Sequence, residues 1–170
     1  MNSVIDNVEV MIREGTAQDI PLLLTSIRSM AAFEDLTVAA TEESLRNALF
    51  GDQPSGSFLL VFSGRKPIGY VTYFFTFSSM GGKRGLWLDD LFLDADYRGQ
   101  GIGKAIMAHL AQIALDQDCG RFELMVLDWN EPAIRFYEKL GAHVFKEWRV
   151  CCVDEERIEG VANQIARVKR

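Results

Sequence analysis

The stretch that decides the fold is Tyr97-Arg98-Gly99-Gln100-Gly101-Ile102-Gly103-Lys104, which joins the end of an apolar run to the start of an amphipathic one. Glycine accepts a positive φ and lets the backbone approach a ligand closely. The free N–H groups in the first turn of a helix point outward with the helix dipole behind them, an arrangement that favours an anion. The stretch therefore predicts a phosphate-binding loop between a strand and a helix.

The spacing of these glycines excludes two common phosphate-binding motifs. A P-loop requires glycine where Arg98 stands and serine or threonine where Ala105 stands. A dinucleotide fingerprint that begins at Gly101 and Gly103 requires a third glycine where Ile106 stands. The pattern that remains is Arg-x-x-Gly-x-Gly.

Composition limits the class of protein. The 170 residues carry a net charge of -6, which argues against a nucleic-acid partner and mildly favours cationic ligands. The length predicts a single domain over 1–170. We find neither a leader pattern nor an apolar stretch long enough to span a bilayer, so we expect a cytoplasmic protein with no membrane partner. The spacing of Cys119, Cys151 and Cys152 predicts reduced thiols and no metal site.

Hydrophobic periodicity predicts a mixed α/β chain. A helix follows a cap at Thr16 or Asp19, a second begins near Thr41, and Ile102 begins a third that ends near Cys119. Pro132 fits the first turn of a fourth helix, and the tail from residue 154 reads as helical. Predicted strands cover 8–12, 58–62, 68–77, 86–93, 122–127 and 148–153. This order predicts an antiparallel meander followed by a strand-helix-strand crossover with a parallel pair.

A second motif follows the glycine loop at Asp128-Trp129-Asn130-Glu131-Pro132-Ala133-Ile134-Arg135-Phe136-Tyr137-Glu138-Lys139-Leu140-Gly141-Ala142. Together with the loop and the order of elements, it resembles the GNAT superfamily of acyl-CoA N-acyltransferases. Three further segments look like its diamine (spermidine/spermine) and thialysine acetyltransferase subgroup. They are Trp87-Leu88-Asp89-Asp90-Leu91-Phe92-Leu93, Asp96-Tyr97-Arg98-Gly99-Gln100-Gly101-Ile102-Gly103 and Trp129-Asn130-Glu131-Pro132.

The resemblance implies a fold, a reaction and a set of contacts. The fold is a mostly antiparallel central sheet whose parallel pair is splayed at the cofactor site, and the expected assembly is a homodimer. The reaction is acetyl transfer from acetyl-CoA to a primary amine by direct attack in a ternary complex, without a metal. The implied cofactor contacts are the backbone of Leu91, Phe92 and Leu93, the loop residues Arg98, Gly99, Gln100, Gly101, Ile102, Gly103 and Lys104, and the side chains of Asn130 and Tyr137.

Amine chemistry explains why carboxylates and a tyrosine stand in these segments. An alkylamine has a pKa near ~10.4, so the neutral form at pH 7 lies roughly 4.6 kcal/mol above the ammonium form, and a base must take the proton. We expect Asp89 to be that base, on the strand face of Trp87 and Leu91, with Asp90 on the opposite face. The resemblance implies that Tyr137 protonates the leaving thiolate, a transfer that is uphill by roughly 2 kcal/mol for unperturbed groups.

The acceptor is the least defined part of the prediction. Glu34, Asp89 and Asp90 offer carboxylates to a cationic amine, and Trp148 matches a late tryptophan of the subgroup. Ser78 and Met80 stand where the polyamine enzymes carry aspartate and tryptophan, which leaves a diamine, a polyamine and a thialysine-like amino acid all open. A protein or peptide N-acetyltransferase and a non-catalytic CoA-binding module are the alternative functions.

Overall fold

Antiparallel neighbours build most of one twisted sheet in the computed structural model, which describes residues 2–5 and 8–164. The strands are β1 (Asn2–Ile5), β2 (Val8–Glu14), β3 (Ser57–Ser63), β4 (Lys66–Ser78), β5 (Lys83–Leu93) and β6 (Arg121–Leu124). They lie in sequence order, every neighbouring pair from β1 to β5 is antiparallel, and β5 and β6 are parallel. The predicted meander and parallel pair are confirmed.

Five α-helices complete the described chain. They are α1 (Ile20–Glu34), α2 (Glu42–Phe50), α3 (Ile102–Asp116), α4 (Glu131–Lys139) and α5 (Glu155–Gln164). Thr41 caps α2 by accepting a hydrogen bond from the Ser44 backbone N–H at 3.1 Å, as its sequence position predicts. Asp19 stands at the N-cap of α1 and forms a bidentate ion pair with Arg13 of β2, at 2.7 and 2.8 Å. This pair joins the first helix to the sheet.

The core on one face of the sheet lies under α1 and α2. Strand residues of that face form a buried cluster with Ile20 and Leu23 of α1, and Met30 and Leu45 pack against it. The strand members of the cluster are Phe58, Leu60, Phe62, Tyr70 and Phe92. Helix α3 packs against β5 and β6 through its own buried stripe, which is Ile102, Ile106, Leu110 and Ala114. Continuous apolar runs in strands buried on both faces, such as β3, and burial at helical spacing in α3 explain why the sequence reveals these elements.

Two features of the predicted organisation are wrong in detail. The predicted strand at 148–153 has no regular secondary structure, and Trp148 is 76% exposed, because a run of strand-forming residues becomes a strand only where a neighbouring edge pairs with it. Strand β6 ends at Leu124, three residues earlier than the sequence indicates. The chain also separates into two compact units, Met1–Met125 and Val126–Arg170, and the single domain over 1–170 stays a prediction.

Candidate active site

Strand β5 has two different halves. Its first half is paired on both sides, with β4 along one edge and with β6 along the other from Gly85 to Leu88. Within the described residues the β6 pairing ends at the Leu88–Leu124 pair, whereas β4 continues to pair with β5 as far as Leu93. The second half of β5 therefore presents one open edge.

A β-bulge separates these two halves. Tyr73 of β4 lies opposite Leu88, but Thr72 lies opposite Asp90, so Asp89 is an extra residue in the ladder. A bulge bends its strand and increases the local twist. The bend falls at the residue that follows the last β6 pair, which explains why the parallel pairing stops there.

The bulge overturns the predicted faces of the two aspartates. Asp90 pairs with Thr72 and Trp87 pairs with Phe74, two residues further along β4, so Asp90 and Trp87 share a face. Leu91 pairs with Val71 and lies on the other face. The prediction that Asp90 points away from the face of Trp87 is wrong, because the extra residue interrupts the alternation on which it rested.

Asp90 is the more deeply held of the two carboxylates. Its Oδ2 accepts a hydrogen bond from the hydroxyl of Tyr70 at 3.2 Å, and its backbone N–H donates to Thr72 Oγ1 at 3.1 Å. Burial, followed by the charge of Asp89, raises the pKa of the Asp90 carboxyl, and hydrogen bonding of the carboxyl with the Thr72 and Tyr70 side chains opposes the rise. Partial burial also raises the pKa of Asp89, whose side chain is more exposed.

Glu34 completes a cluster of three carboxylates. It is the last residue of α1, and its charge contributes to raising the pKa of Asp90 and of the buried Tyr70 phenol. Glu34, at the end of a helix, therefore lies near enough to the bulge of β5 for its charge to act on Asp90, which follows Asp89 in the strand. A concentration of negative charge at one place suits a cation, because each like-charged neighbour disfavours ionisation unless a positive ligand is present.

The glycine loop has the predicted geometry. Gly99 and Gly101 have φ values of 75° and 79°, in the left-handed region that favours glycine. Gly101 is the N-cap of α3, and the first hydrogen bond of the helix runs from the Ala105 N–H to the Gly101 carbonyl at 3.1 Å. The N–H groups of Ile102, Gly103 and Lys104 therefore precede the helical ladder and point out of the helix end.

Side chains of the loop are engaged with the protein itself. Arg98 Nε donates to the Leu93 carbonyl at 2.8 Å, and its guanidinium lies 4.5 Å from the ring centre of Phe33 and 5.9 Å from that of Phe92. Gln100 Nε2 donates to the Asp96 carbonyl at 2.7 Å. Lys104 is exposed. The backbone groups of the loop are thus the ones available to a ligand, while the Arg98 side chain connects the loop to β5 and α1.

The second unit carries the remaining predicted contacts. Asn130 is the N-cap of α4 and accepts a hydrogen bond from the Ala133 N–H at 3.3 Å, so its side-chain oxygen stabilises the helix. Burial raises the pKa of Tyr137 to about 12, and its ring packs edge-on against Phe136 at 5.1 Å between centres. Helix α4 ends at Lys139, and Gly141 follows with a φ of 93°.

Three residues contact the candidate site residues and were not among the site residues predicted from the sequence. Tyr70 and Thr72 hold Asp90, and Phe33 contacts Arg98. In the sequence, Tyr70 and Thr72 are part of a predicted strand. A polar side chain within a buried strand needs a hydrogen-bond partner, and this requirement is the signal that could have identified both residues.

Negative findings apply to the described ranges, 2–5 and 8–164. In them no three histidine, cysteine, aspartate or glutamate residues are arranged to bind a metal ion. Likewise, none of the helices in that part of the chain has the length and apolar character of a membrane span.

The mixed sheet and the glycine loop before α3 are together typical of acyl-CoA N-acyltransferases, and comparison with known proteins supports this class. The model of the Acetyltransferase (GNAT) family matches residues 24–142. The chain belongs to the GNAT acetyltransferase family, and it is an acyltransferase.

Individual relatives match this chain over most of its length. Thialysine N-epsilon-acetyltransferase of Sus scrofa is 38% identical over 148 residues, covering 81% of this chain and 86% of its own. L-ornithine N5-acetyltransferase of Arabidopsis thaliana is 31% identical, covering 88% of this chain and 86% of its own. An integron cassette protein from the mobile metagenome of V. cholerae superposes with a TM-score of 0.74 at 25% identity, covering 90% of this chain and 97% of its own. The predicted fold and the resemblance to the thialysine-acetylating subgroup are confirmed.

Proposed function

We propose that this protein transfers the acetyl group of acetyl-CoA to a primary amine of a small cationic acceptor, by direct attack in a ternary complex. The observation that carries the proposal is the group of three carboxylates, Glu34, Asp89 and Asp90, beside the open half of β5. The carboxylates suit an ammonium group, and the open edge of β5 suits an extended chain that contains amides.

The open edge of β5 fits the pantetheine arm. The N–H of Asp90 points to Thr72 of β4, and the N–H of Asp94 donates to the Ile68 carbonyl of the same neighbour at 2.8 Å. Backbone groups alternate in direction along a strand, so those of Leu91 and Leu93 point to the open edge and those of Phe92 point to β4. Pantetheine amides can add to this edge as a strand does, with Leu91 as the principal partner because Arg98 occupies the Leu93 carbonyl.

The glycine loop fits the pyrophosphate of the same cofactor. The N–H groups of Ile102, Gly103 and Lys104 supply donors with the dipole of the 15-residue helix α3 behind them. Glycine at 99 and 101 allows the left-handed turn that precedes the helix. Coenzyme A supplies the activated thioester, and the protein supplies the groups that orient it.

The carboxylates serve the acceptor in two ways. They attract the ammonium form, and they accept the proton that must leave before nitrogen can attack. Asp89 is the more accessible acceptor of that proton, while Asp90 is held by Tyr70 and Thr72 and fixes the position of the cation. Their raised pKa values bring them closer to that of the amine, which makes the transfer less uphill.

Tyr137 acts on the leaving sulfur by hydrogen bonding. With a pKa of about 12 for its phenol, full transfer of the proton to a thiolate of pKa near ~8.5 is uphill by roughly 5 kcal/mol. A hydrogen bond that strengthens as charge develops on sulfur has no such cost. Asn130, with its oxygen committed to the helix cap, has its amide N–H groups left for the cofactor arm.

Among acceptors we favour an amino acid with a terminal side-chain amine. Thialysine and ornithine, named for two relatives, are both of this kind. Met80 is fully exposed at the turn between β4 and β5, and with Ser78 it offers no carboxylate or indole for the far end of a polyamine. A cytoplasmic location and a homodimer, in which Trp148 contributes to the acceptor site or the interface, belong to the same proposal.

The deciding experiment measures thiol release from acetyl-CoA with thialysine, ornithine, lysine, diamines, spermidine and peptides. We expect thialysine or ornithine to give the highest kcat/KM. Preference for a peptide would favour a protein acetyltransferase, and binding of CoA without acceleration by any amine would contradict the proposal. Tyr137→Phe should lower kcat about 10²-fold, whereas Tyr73→Phe, a matched change in β4, should leave it within about twofold.

A further inference from the structure

Arg98 makes contacts that its place in the glycine loop does not require. Its Nε is hydrogen-bonded to the Leu93 carbonyl at the end of β5, at 2.8 Å. The central carbon of its guanidinium also lies over two aromatic rings, 4.5 Å from the centre of Phe33 and 5.9 Å from that of Phe92. One side chain thus joins the loop, the end of β5 and the end of α1.

Phe33 is the link to the acceptor carboxylates. It precedes Glu34, the last residue of α1, and the helix then ends at Asp35 in a left-handed conformation with φ 56°. The Phe33 side chain is 54% exposed, so burial in the core does not fix it. Backbone N–H groups of Asp35 and Leu36 bond to the Ala31 carbonyl at this turn, and the contact of Phe33 with Arg98 adds a side-chain link to it.

Phe92 provides a second link on the same side. Its ring lies 6.2 Å from that of Tyr70, and the Tyr70 hydroxyl donates to Asp90 Oδ2. The guanidinium is consequently linked to two of the three carboxylates, to Glu34 through its neighbour Phe33 and to Asp90 through Phe92 and Tyr70. All of these residues belong to the unit Met1–Met125.

We propose that Arg98 is a positioning residue for the acceptor as well as part of the donor loop. Through its contact with Phe33 and its hydrogen bond to the Leu93 carbonyl, it orients the end of α1 that carries Glu34 relative to the end of β5. Ligand contacts to the backbone of the loop and ordering of the acceptor carboxylates are therefore coupled through one side chain. This inference rests on the proposed function.

The substitution Arg98→Lys distinguishes a positioning role from attraction by charge alone. It keeps the positive charge that attracts a pyrophosphate but lacks the planar fork and the Nε donor. Arg98→Lys should raise KM for the amine about three- to tenfold, while the Kd of CoA, measured by calorimetry without amine, stays within about threefold. Phe33→Leu should produce a similar change in amine KM.

The double variant provides the sharper measurement. If Arg98 acts through Phe33, then Arg98→Lys combined with Phe33→Leu raises amine KM no further than the larger single change does. Arg65→Lys and Phe77→Leu are matched controls at exposed positions of the β3–β4 turn and of β4, and neither should change amine KM. Thermal unfolding of each variant confirms that it is folded.

Two results would overturn the inference. One is a rise in the Kd of CoA with amine KM unchanged, which would confine Arg98 to the donor. The other is independent, multiplying effects of Arg98→Lys and Phe33→Leu. Failure of the proposed function is distinguishable, because then the unaltered protein would bind CoA and acetylate none of the amines.

Discussion

The two halves of strand β5 both contain a Leu-aromatic-Leu segment but differ in charge and in strand pairing. Residues of the first half pair with β4 and β6, and Leu86 and Leu88 are buried. The second half begins at the bulge, keeps β4 as its described strand partner and carries Asp90 beside an open edge. A strand paired on both sides has its backbone groups satisfied and serves stability, whereas an open edge can bind a ligand. Substitutions in each half, and in the β4 residue that supports Asp90, can test this division of roles.

The largest effect is expected from the carboxylates of the second half. Asp89→Asn and Asp90→Asn should each lower kcat/KM for the amine about 10²-fold, because proton acceptance and attraction of the cation are lost. Steady-state kinetics measures this, and thermal unfolding should show little change. A variant with normal kcat/KM at pH 7 would remove that aspartate from the mechanism.

The first half should respond in the opposite way. Leu86 is fully buried, so Leu86→Ala leaves a cavity in the core and should lower the free energy of unfolding by about 3 kcal/mol. Urea denaturation measures the loss. Amine KM of the folded fraction should remain that of the unaltered protein, and a large change in KM would show that the two halves are not independent.

The open edge itself can be tested with proline. Leu91→Pro removes an N–H that points away from β4, so the β4–β5 ladder should remain while the Kd of CoA rises about tenfold. Leu91→Ala shortens the same side chain and keeps the N–H, which makes it the control. Equal Kd values for the two variants would mean that pantetheine does not use this edge.

The smallest expected effect concerns the support of Asp90. The Tyr70 hydroxyl stabilises the ionised carboxylate, so Tyr70→Phe should raise the pKa of Asp90 further. The acidic limb of the pH profile of kcat/KM should then move to higher pH by up to about one unit, with little change above it. An unmoved limb would indicate that Asp90 does not titrate in the reaction.

Much of the fold could be predicted because local sequence encodes it. Runs of β-branched and aromatic residues indicated β3, β4 and β5, and Thr41, Ile102 and Pro132 marked the starts of helices that the structure contains. The stretch 148–153 shows the limit, since a run of strand-forming residues does not reveal whether a partner edge exists. Strand β1 was not predicted, although it pairs with β2, the next strand along the chain.

The site was predictable in composition and not in arrangement. Local sequence identified Glu34, Asp89 and Asp90 as candidate ligands for a cation. It could not reveal the bulge, because an extra residue becomes visible only in the register between two strands. The contact of Arg98 with Phe33 joins residues 65 positions apart, and no local pattern encodes such a pair.

The bulge at Asp89 has a consequence for how this chain could evolve. Because Leu88 already lies opposite Tyr73 and Asp90 opposite Thr72, removal of the single intervening residue leaves an uninterrupted ladder with every core side chain on its present face. The bend of β5 is thus an insertion that the core does not need. Deletion of one codon would straighten the strand and keep its pairing with β4, so the proposed cofactor edge depends on a single amino acid.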